Sequence, residues 1–367
     1  MINKLVVENL KHRPVRTLLS IIAISIQVTM VLTLVGLSKG MLDEQARRAR
    51  GVGADIVIQA PNSSVIGLNG SGINMSAGIV PFVMKVEPHI VAATGILAGG
   101  KDLFSYATGV DLEQFNKLNG GFRFVAGGPF KGPEDILVDT YYANQHHLKV
   151  GDTVTVLNHP WHLTGIYEPG MLARLVVPLK TLQDLTANRD KVTLIYAKLD
   201  DPARTGQVIA NLEQKLKDFK IRSMQEYTDL FSVDNIPMLK EFIYVVVAVG
   251  VLVGFLVVFL SMYTAVLERT REIGVLKALG ASPVYVLNIL LRETALLAIA
   301  GSILGILLSY ATRFAVNDVI HGSLIQAIAY DWWPATALLA IVGAMFGAAY
   351  PGLKAARQDA IEALAYE

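Results

Sequence analysis

Long apolar runs divide this chain before any other feature does. Residues 17–38, 242–267, 294–312 and 332–353 contain no Asp, Glu, Lys or Arg. A helix of about 20 such residues crosses the roughly 30 Å of hydrocarbon in a bilayer, so four membrane spans are predicted. They are placed at 17–39, 241–267, 284–312 and 332–353, the third beginning near Val284 and carrying Arg292 and Glu293 at the interface. Between the first and second spans, over residues 40–240, the pattern changes to short alternating segments. Residues 54–59, 136–138, 153–157 and 192–199 read as strands; 111–118, 140–147, 179–185 and 202–219 read as helices. The last helix has Val208, Ile209, Leu212 and Leu216 as its buried stripe. The predicted fold class is therefore an α-helical membrane protein with four transmembrane helices and an α+β extracytoplasmic domain inserted between the first and second.

Polar and small residues inside the runs refine this picture. Gln27 in the first span reads as a helix–helix hydrogen-bonding group, and the pairs Gly301/Gly305 and Gly343/Gly347 read as packing positions where backbones approach closely. Charge-free runs leave no proton relay or ion-coupled site, which argues against a secondary transporter or channel. Lys and Arg concentrate in residues 1–16 and 268–292, whereas 313–331 carries one Arg against two Asp. That asymmetry places both termini in the cytoplasm and the large domain outside; Arg47, Arg48 and Arg50 run against it, where the rule is weak. Residues 1–16 are basic and amphipathic, suited to lying on the inner surface before Pro14 breaks into the span, or simply to fixing orientation. The first run lacks a small-residue cleavage site and reads as an anchor that stays.

The stretch richest in information is 268–282, ERTREIGVLKALGAS. Charges come first, at Glu268, Arg269, Arg271 and Glu272; Ile273, Leu276 and Leu279 follow at helical spacing, with Gly274 and Gly280 as small positions. Glu268–Arg271 and Arg269–Glu272 are spaced to pair along a helix surface. Between two spans, with no room for a domain, such a helix is either a lever for a partner or a charged loop that sets orientation.

The pattern R-E-I-G-x-x-x-A-x-G-A, met here by Arg271, Glu272, Ile273, Gly274, Ala278, Gly280 and Ala281, resembles the FtsX-like permeases of ABC transporters, which include the macrolide-exporter and lipoprotein-release types. The resemblance implies that residues 268–283 are the coupling helix that docks on an ATP-hydrolysing subunit, with Glu268, Arg269 and Lys277 among the contacts. N-L-K-H-R-P-V-R-T-L-L resembles the family's approach to its first span, and D-I-L-V-D-T-Y-Y-A-N-Q-H-H-L-K-V-G-D-T-V-T-V its inserted subdomain. It implies a two-lobed domain, with 54–100 and 191–235 in one lobe, an insertion at about 101–190 in the other, and 219–240 as a stalk into the second span. The tail 350–367 resembles the family's ending, with Ala360 and Ala365 in place of its usual Pro and Arg; Ala23 and Gln27 stand near the family's first-span glycines. These departures point to a divergent subfamily.

Composition narrows the chemistry. Of 367 residues 53% are hydrophobic and 17% charged, and mean hydropathy is +0.45, too apolar for an ordinary soluble protein. A net charge of +1 implies nothing about nucleic acid and no basic patch with interleaved aromatics stands in the sequence, so no nucleic-acid partner is expected; the absence of Cys excludes disulfides and thiolate sites. Gly95 to Lys101 imitates a phosphate-binding loop, but Asp102 stands where Ser or Thr must hold magnesium. His146 and His147 diverge on a helix, His159 and His162 flank a turn at Pro160-Trp161, and the Asn62, Asn69 and Asn74 triplets lie in a Gly/Ser/Asn-rich loop at 61–78; all read as surface features. The chain is thus expected to be no enzyme and to bind no cofactor. ATP and Mg²⁺ would belong to a dimer of a separate ATPase. By resemblance, the other partners are a second permease copy or paralogue, membrane lipid and, in an export assembly, a periplasmic adaptor and outer-membrane component. The expected setting is the bacterial inner membrane. The expected work is export or extraction of a hydrophobic substrate by mechanical transmission; the alternative is a signalling permease that regulates a cell-wall hydrolase. A membrane-anchored periplasmic enzyme, the third class, has no motif behind it.

Overall fold

The computed structural model describes residues 14–61, 63, 75–100, 106–236, 238–319 and 324–358. The expected amino-terminal amphipathic helix, the Asn triplets with most of their loop, Lys101 and Asp102, and the tail beyond Gln358 lie outside the described residues. In chain order the elements are α1 (Pro14–Gly51), β1 (Ile56–Gln59), β2 (Met75–Ser76), α2 (Ile79–Val86), β3 (Ile90–Gly100), β4 (Tyr106–Val110), α3 (Leu112–Asn119), β5 (Phe124–Gly127), β6 (Asp135–Asp139) and α4 (Thr140–Gln145). There follow β7 (Thr153–Val156), β8 (His159–Tyr167), β9 (Leu175–Pro178), α5 (Leu179–Leu185), β10 (Lys191–Val192), β11 (Leu194–Leu199), α6 (Thr205–Lys215), β12 (Lys220–Ser223) and α7 (Met224–Asp229). The last four helices are α8 (Leu239–Glu268), α9 (Thr270–Ala278), α10 (Pro283–Phe314) and α11 (Trp332–Arg357). They fall into two compact units. One is helical; the other is an α/β unit formed mainly by Met41–Ile236.

A mixed sheet of order β12-β1-β11-β3-β4-β9-β6-β8-β5, with β7 on β8, forms the α/β unit. Two pairs are parallel, β4 with β9 and β6 with β8. Strand β3 belongs to both halves of the sheet: Ile90 to Ile96 pair with β11, and Leu97 to Gly100 pair with β4. The insertion therefore continues the sheet through one shared strand. Gly95, Gly99 and Gly100, the glycines of the rejected phosphate-loop match, sit in that strand. A Cβ on Gly95 would lie 2.7 Å from Val192 Cγ1, and one on Gly99 3.3 Å from Leu182 Cδ1, so these glycines admit close neighbours.

Other expectations change in detail. The turn placed at Pro160-Trp161 is instead at Leu157 and Asn158, both at positive φ, in a two-residue hairpin that pairs Val156 with His159. The predicted strand 192–199 breaks at Thr193, which bonds Ile96 O through its N–H at 2.7 Å. The predicted helix 202–219 is a tight turn followed by α6 alone. The predicted stalk at 219–240 is overturned over its first part, because Lys220–Ser223 form edge strand β12 against β1. His146, His147 and His162 are exposed, and His159 lies 4.0 Å from Glu134.

Helix α1 continues beyond the expected span end at residue 39 as far as Gly51. Its last turns carry the arginines that ran against the positive-inside pattern, and acids neutralise two of them. Arg47 and Arg48 pair with Glu44, Arg48 Nε at 3.1 Å, and Arg48 Nη2 lies 3.8 Å from Asp139 Oδ2. Asp139 also caps α4 by accepting from the Tyr142 N–H at 2.7 Å. Burial raises the Asp139 pKa above the ordinary carboxylate value and lowers that of Arg174, which the charge of Arg48 lowers further.

The helical unit is apolar outside as well as inside, and small residues stand where its helices come closest. Leu260, Leu307 and Phe346 are each at least 60% exposed, whereas Ala298, Gly301, Gly305, Ala344 and Gly347 are buried. Among the described residues four helices, Pro14–Gly51, Leu239–Glu268, Pro283–Asn317 and Trp332–Arg357, are long and apolar enough to cross a membrane. Gly301 and Gly305 face α1: added Cβ atoms would fall 2.7 Å from Ile24 Cβ and 2.7 Å from Val28 Cβ. Gly347 faces α8, 2.7 Å from Phe255 O, and Gly343 faces Val251. Gln27 fills the space over Gly250 and Gly254 of α8. Thr29 Oγ1 donates to Gly305 O at 3.0 Å, and Ser20 bonds Ser261 at 2.8 Å. Such contacts carry association where lipid is as apolar as leucine.

Two expectations follow. Gly305→Leu forces α1 and α10 apart and costs about 1–3 kcal/mol or more, lowering the unfolding midpoint of purified protein, while Leu307→Ala on the outward face changes it little. For Asp139 the raised pKa means that its proton stabilises the folded state. The contribution is full below the unfolded value of about 4 and is lost as pH rises through the folded value. After correction for the intrinsic pH dependence of exchange, protection of the α4 amides is therefore expected to rise on acidification from neutrality in wild type and to stay constant in Asp139→Asn.

Candidate functional site

The information-rich stretch folds as α9, a two-turn helix between the ends of α8 and α10. Its boundaries follow from local chemistry. Arg269 leaves helical geometry (φ −109°, ψ 13°) and separates α8 from α9. At the other end Gly280 takes φ +94° with open space where a Cβ would be, so glycine is there for its backbone and not for packing. The Gly280 N–H bonds Lys277 O at 2.9 Å and the Ala281 N–H bonds Leu276 O at 3.0 Å, a Schellman stop. Ser282 then caps α10 by accepting from the Tyr285 N–H at 3.2 Å, with Pro283 at the first helical position.

Two faces divide the expected site residues. Thr270, Ile273 and Gly274 are buried, with Lys277 half-buried one turn on. Arg271, Glu272, Val275, Ala278 and Leu279 point outward, and Gly280 is exposed beside the half-buried Ala281. Leu279, expected in the apolar stripe with Ile273, is 80% exposed, and Val275 and Val284 are exposed as well. The surface pairs expected along the helix are also corrected in part. Arg269 turns inward, 7% exposed, and donates to Glu293 Oε2 at 3.3 Å; Glu268 lies 4.0 Å from Arg16.

Sequence reasoning missed the centre of this arrangement. Glu293, expected at the interface, is completely buried on α10, and Arg16 Nη2 donates to its Oε1 at 3.0 Å. Arg292, its neighbour, is exposed and bonds Asn288 Oδ1 at 2.9 Å. The expectation that charge stays out of the helical interior is thus overturned. A signal existed: Glu293 lies four residues after the buried Ile289, on the inward stripe of α10. Lys277 supplies a second tie. Its Nζ donates to Ala356 O at 3.0 Å and to Gln358 O, capping the end of α11. Helix α9 is therefore joined by chain to α8 and α10, through Lys277 to α11, and at its Arg269 joint to Glu293, which Arg16 of α1 shares. Lys277→Met should free that last turn and raise amide exchange at 355–358 by about three- to tenfold.

Comparison with known proteins gives two family-model matches: FtsX-like permease C-terminal over residues 244–360 and MacB-like periplasmic core domain over residues 17–215. Among curated relatives, the macrolide export ATP-binding/permease protein MacB of Escherichia coli is 25% identical, over 98% of this chain and 59% of its own length. MacB of Photorhabdus laumondii is 27% identical over 79% of this chain and 48% of its own. This chain thus spans about half to three fifths of those relatives. The crystal structure of the periplasmic region of MacB from Actinobacillus actinomycetemcomitans aligns with TM-score 0.38 at 17% identity, covering 51% of this chain and 96% of that one.

Proposed function

This chain belongs to the MacB-like, FtsX-like family of ABC transporter permeases, and we propose that it is a membrane subunit driven by a separate ATP-hydrolysing subunit through α9. The observation that carries the reading is the division of labour on that helix. Its ends are fastened to the bundle, Arg269 at its start to Glu293 of α10 and Lys277 to the end of α11, while its outer face offers Arg271, Glu272, Val275 and Leu279 to a partner. A helix fixed in this way cannot be displaced without moving the helices it is tied to. ATP and Mg²⁺ would be bound by the partner, and two permeases would pair over two ATPases.

The work proposed is mechanical: closure of the ATPases shifts α9, and the helical unit passes the displacement to the extracytoplasmic domain. A hydrophobic substrate would be exported or extracted in this way, from an inner membrane with both termini cytoplasmic. A periplasmic adaptor and outer-membrane component fit the export form of the reading. The small-residue packing of Gly301, Gly305, Gly343 and Gly347 supports helices that move as bodies more than it supports a hydrophilic pore.

The test is capture of a candidate ATPase by the purified chain in detergent. Glu272→Ala and Leu279→Asp alter only the outer face, and Gly274→Trp overfills the inner one. Loss of at least about tenfold in affinity, with loss of stimulated ATP hydrolysis, is expected for all three. An undiminished complex in folded Leu279→Asp and Glu272→Ala proteins would overturn the assignment of α9 as the docking element.

A further inference from the structure

The two oxygens of Glu293 serve different elements. Oε1 takes Arg16 at the start of α1, and Oε2 takes Arg269 at the joint between α8 and α9. The carboxylate is wholly buried, and the guanidinium side chains are 16% and 7% exposed. Met262, Val266, Ile273, Val286 and Leu290 form the apolar cluster around this level of the bundle. Two cations thus share one buried anion, and the half-exposed Glu268 gives Arg16 a second at the rim. Each charge is held inside because the others are there.

Stability alone does not account for such a cluster. Well-packed apolar side chains of similar volume commonly replace a buried ionic network at no cost in stability. What they do not reproduce is direction: a planar guanidinium against a carboxylate accepts a narrow range of orientations, whereas apolar contacts slide. Arg269 is also the residue at which the backbone leaves α8 and starts α9, so fixing its head group fixes the angle of α9. Lys277 holds the far end on α11, and Gly280 and Ser282 define the exit.

We propose that Glu293 is the positioning residue of the coupling helix, acting through Arg269 and Arg16 and not by touching the ATPase. The network sets the angle at which the outer face of α9 meets its partner and makes α1, α8 and α10 follow when α9 moves. The part concerning ATPase coupling rests on the function proposed above; the positioning of α9 does not.

The experiment compares full-length wild type, Glu293→Gln, and the apolar triple variant Arg16→Leu/Arg269→Leu/Glu293→Leu, all in lipid nanodiscs. It reads the thermal midpoint, amide exchange in Thr270–Ala278, affinity for the candidate ATPase and stimulation of its hydrolysis. In Glu293→Gln the exchange of α9 is expected to rise about tenfold while amides in α10 beyond Ala298 are unchanged. ATPase affinity should stay within about threefold, because the outer face is intact, and stimulation should fall at least about tenfold. The triple variant should regain the wild-type midpoint but not slow exchange in α9 or stimulation. Return of both with the midpoint would reduce the network to a packing element and overturn the proposal, as would unchanged α9 exchange in Glu293→Gln. If Glu293→Gln does not fold, the triple variant decides by the same criteria. Failure of wild type to bind the ATPase would sink the coupling function, and the exchange readout would still decide the positioning role.

Discussion

Helices in a bilayer gain nothing from hiding leucine, because the lipid tails are as apolar as the side chain. What remains is close backbone approach and internal satisfaction of polar groups, and both are written into the helical unit. Gly301 and Gly305 let α10 reach within contact of Ile24 and Val28, and Gly347 lets α11 reach the backbone of α8 at Phe255. Ser20, Thr29 and Thr33 spend their hydroxyl groups on neighbouring helices or their own turns. Bulky residues such as Leu260, Leu307 and Phe346 also face outward, where a water-soluble protein would place polar ones.

That constraint explains where charge is tolerated. Arg16, Arg269 and Glu293 could not stand singly in such an interior, and the cost of separating them is what keeps the ends of α1, α8 and α10 together. The same logic operates in the α/β unit, where Glu44, Arg48, Asp139 and Arg174 meet away from water. There the carboxylate also caps a helix, so the ionic contact and the backbone are fixed by one group. In both places an arginine that seemed, from its position in the sequence, to be a surface or flanking charge is an internal fastening.

Long spans and their small-residue faces were legible because period and composition act over 20 or more residues. Cap chemistry was legible too, in the Gly-Ala-Ser-Pro run that stops α9 and starts α10. The misses have physical causes. Strand β3 was hidden by its own glycines and alanines, which suit neighbours brought in by Val192 and Leu182, and those are contacts a local pattern does not contain. Strand β12 was hidden because four residues at a sheet edge, Lys-Ile-Arg-Ser, acquire their state only by pairing with β1. Glu293 was taken as interfacial because a carboxylate beside an apolar run ordinarily is; its partners lie 24 and 277 residues away.

The family pattern itself can be parsed by these contacts. Of its seven positions here, Arg271, Glu272 and Ala278 present outward, Ile273 and Gly274 pack inward, and Gly280 with Ala281 ends the helix. None of them anchors the helix by side-chain charge. The anchors, Arg269, Glu293, Arg16 and Lys277, are not among those seven positions; they stand in three helices and at the α8–α9 junction and meet their partners only when the chain is folded. A docking surface must match a partner residue by residue, so it reads as a short motif. An anchor need only find a counter-charge somewhere in its own bundle, so it is dispersed in sequence. The motif thus says what touches the partner, and the buried network says what the touch can move.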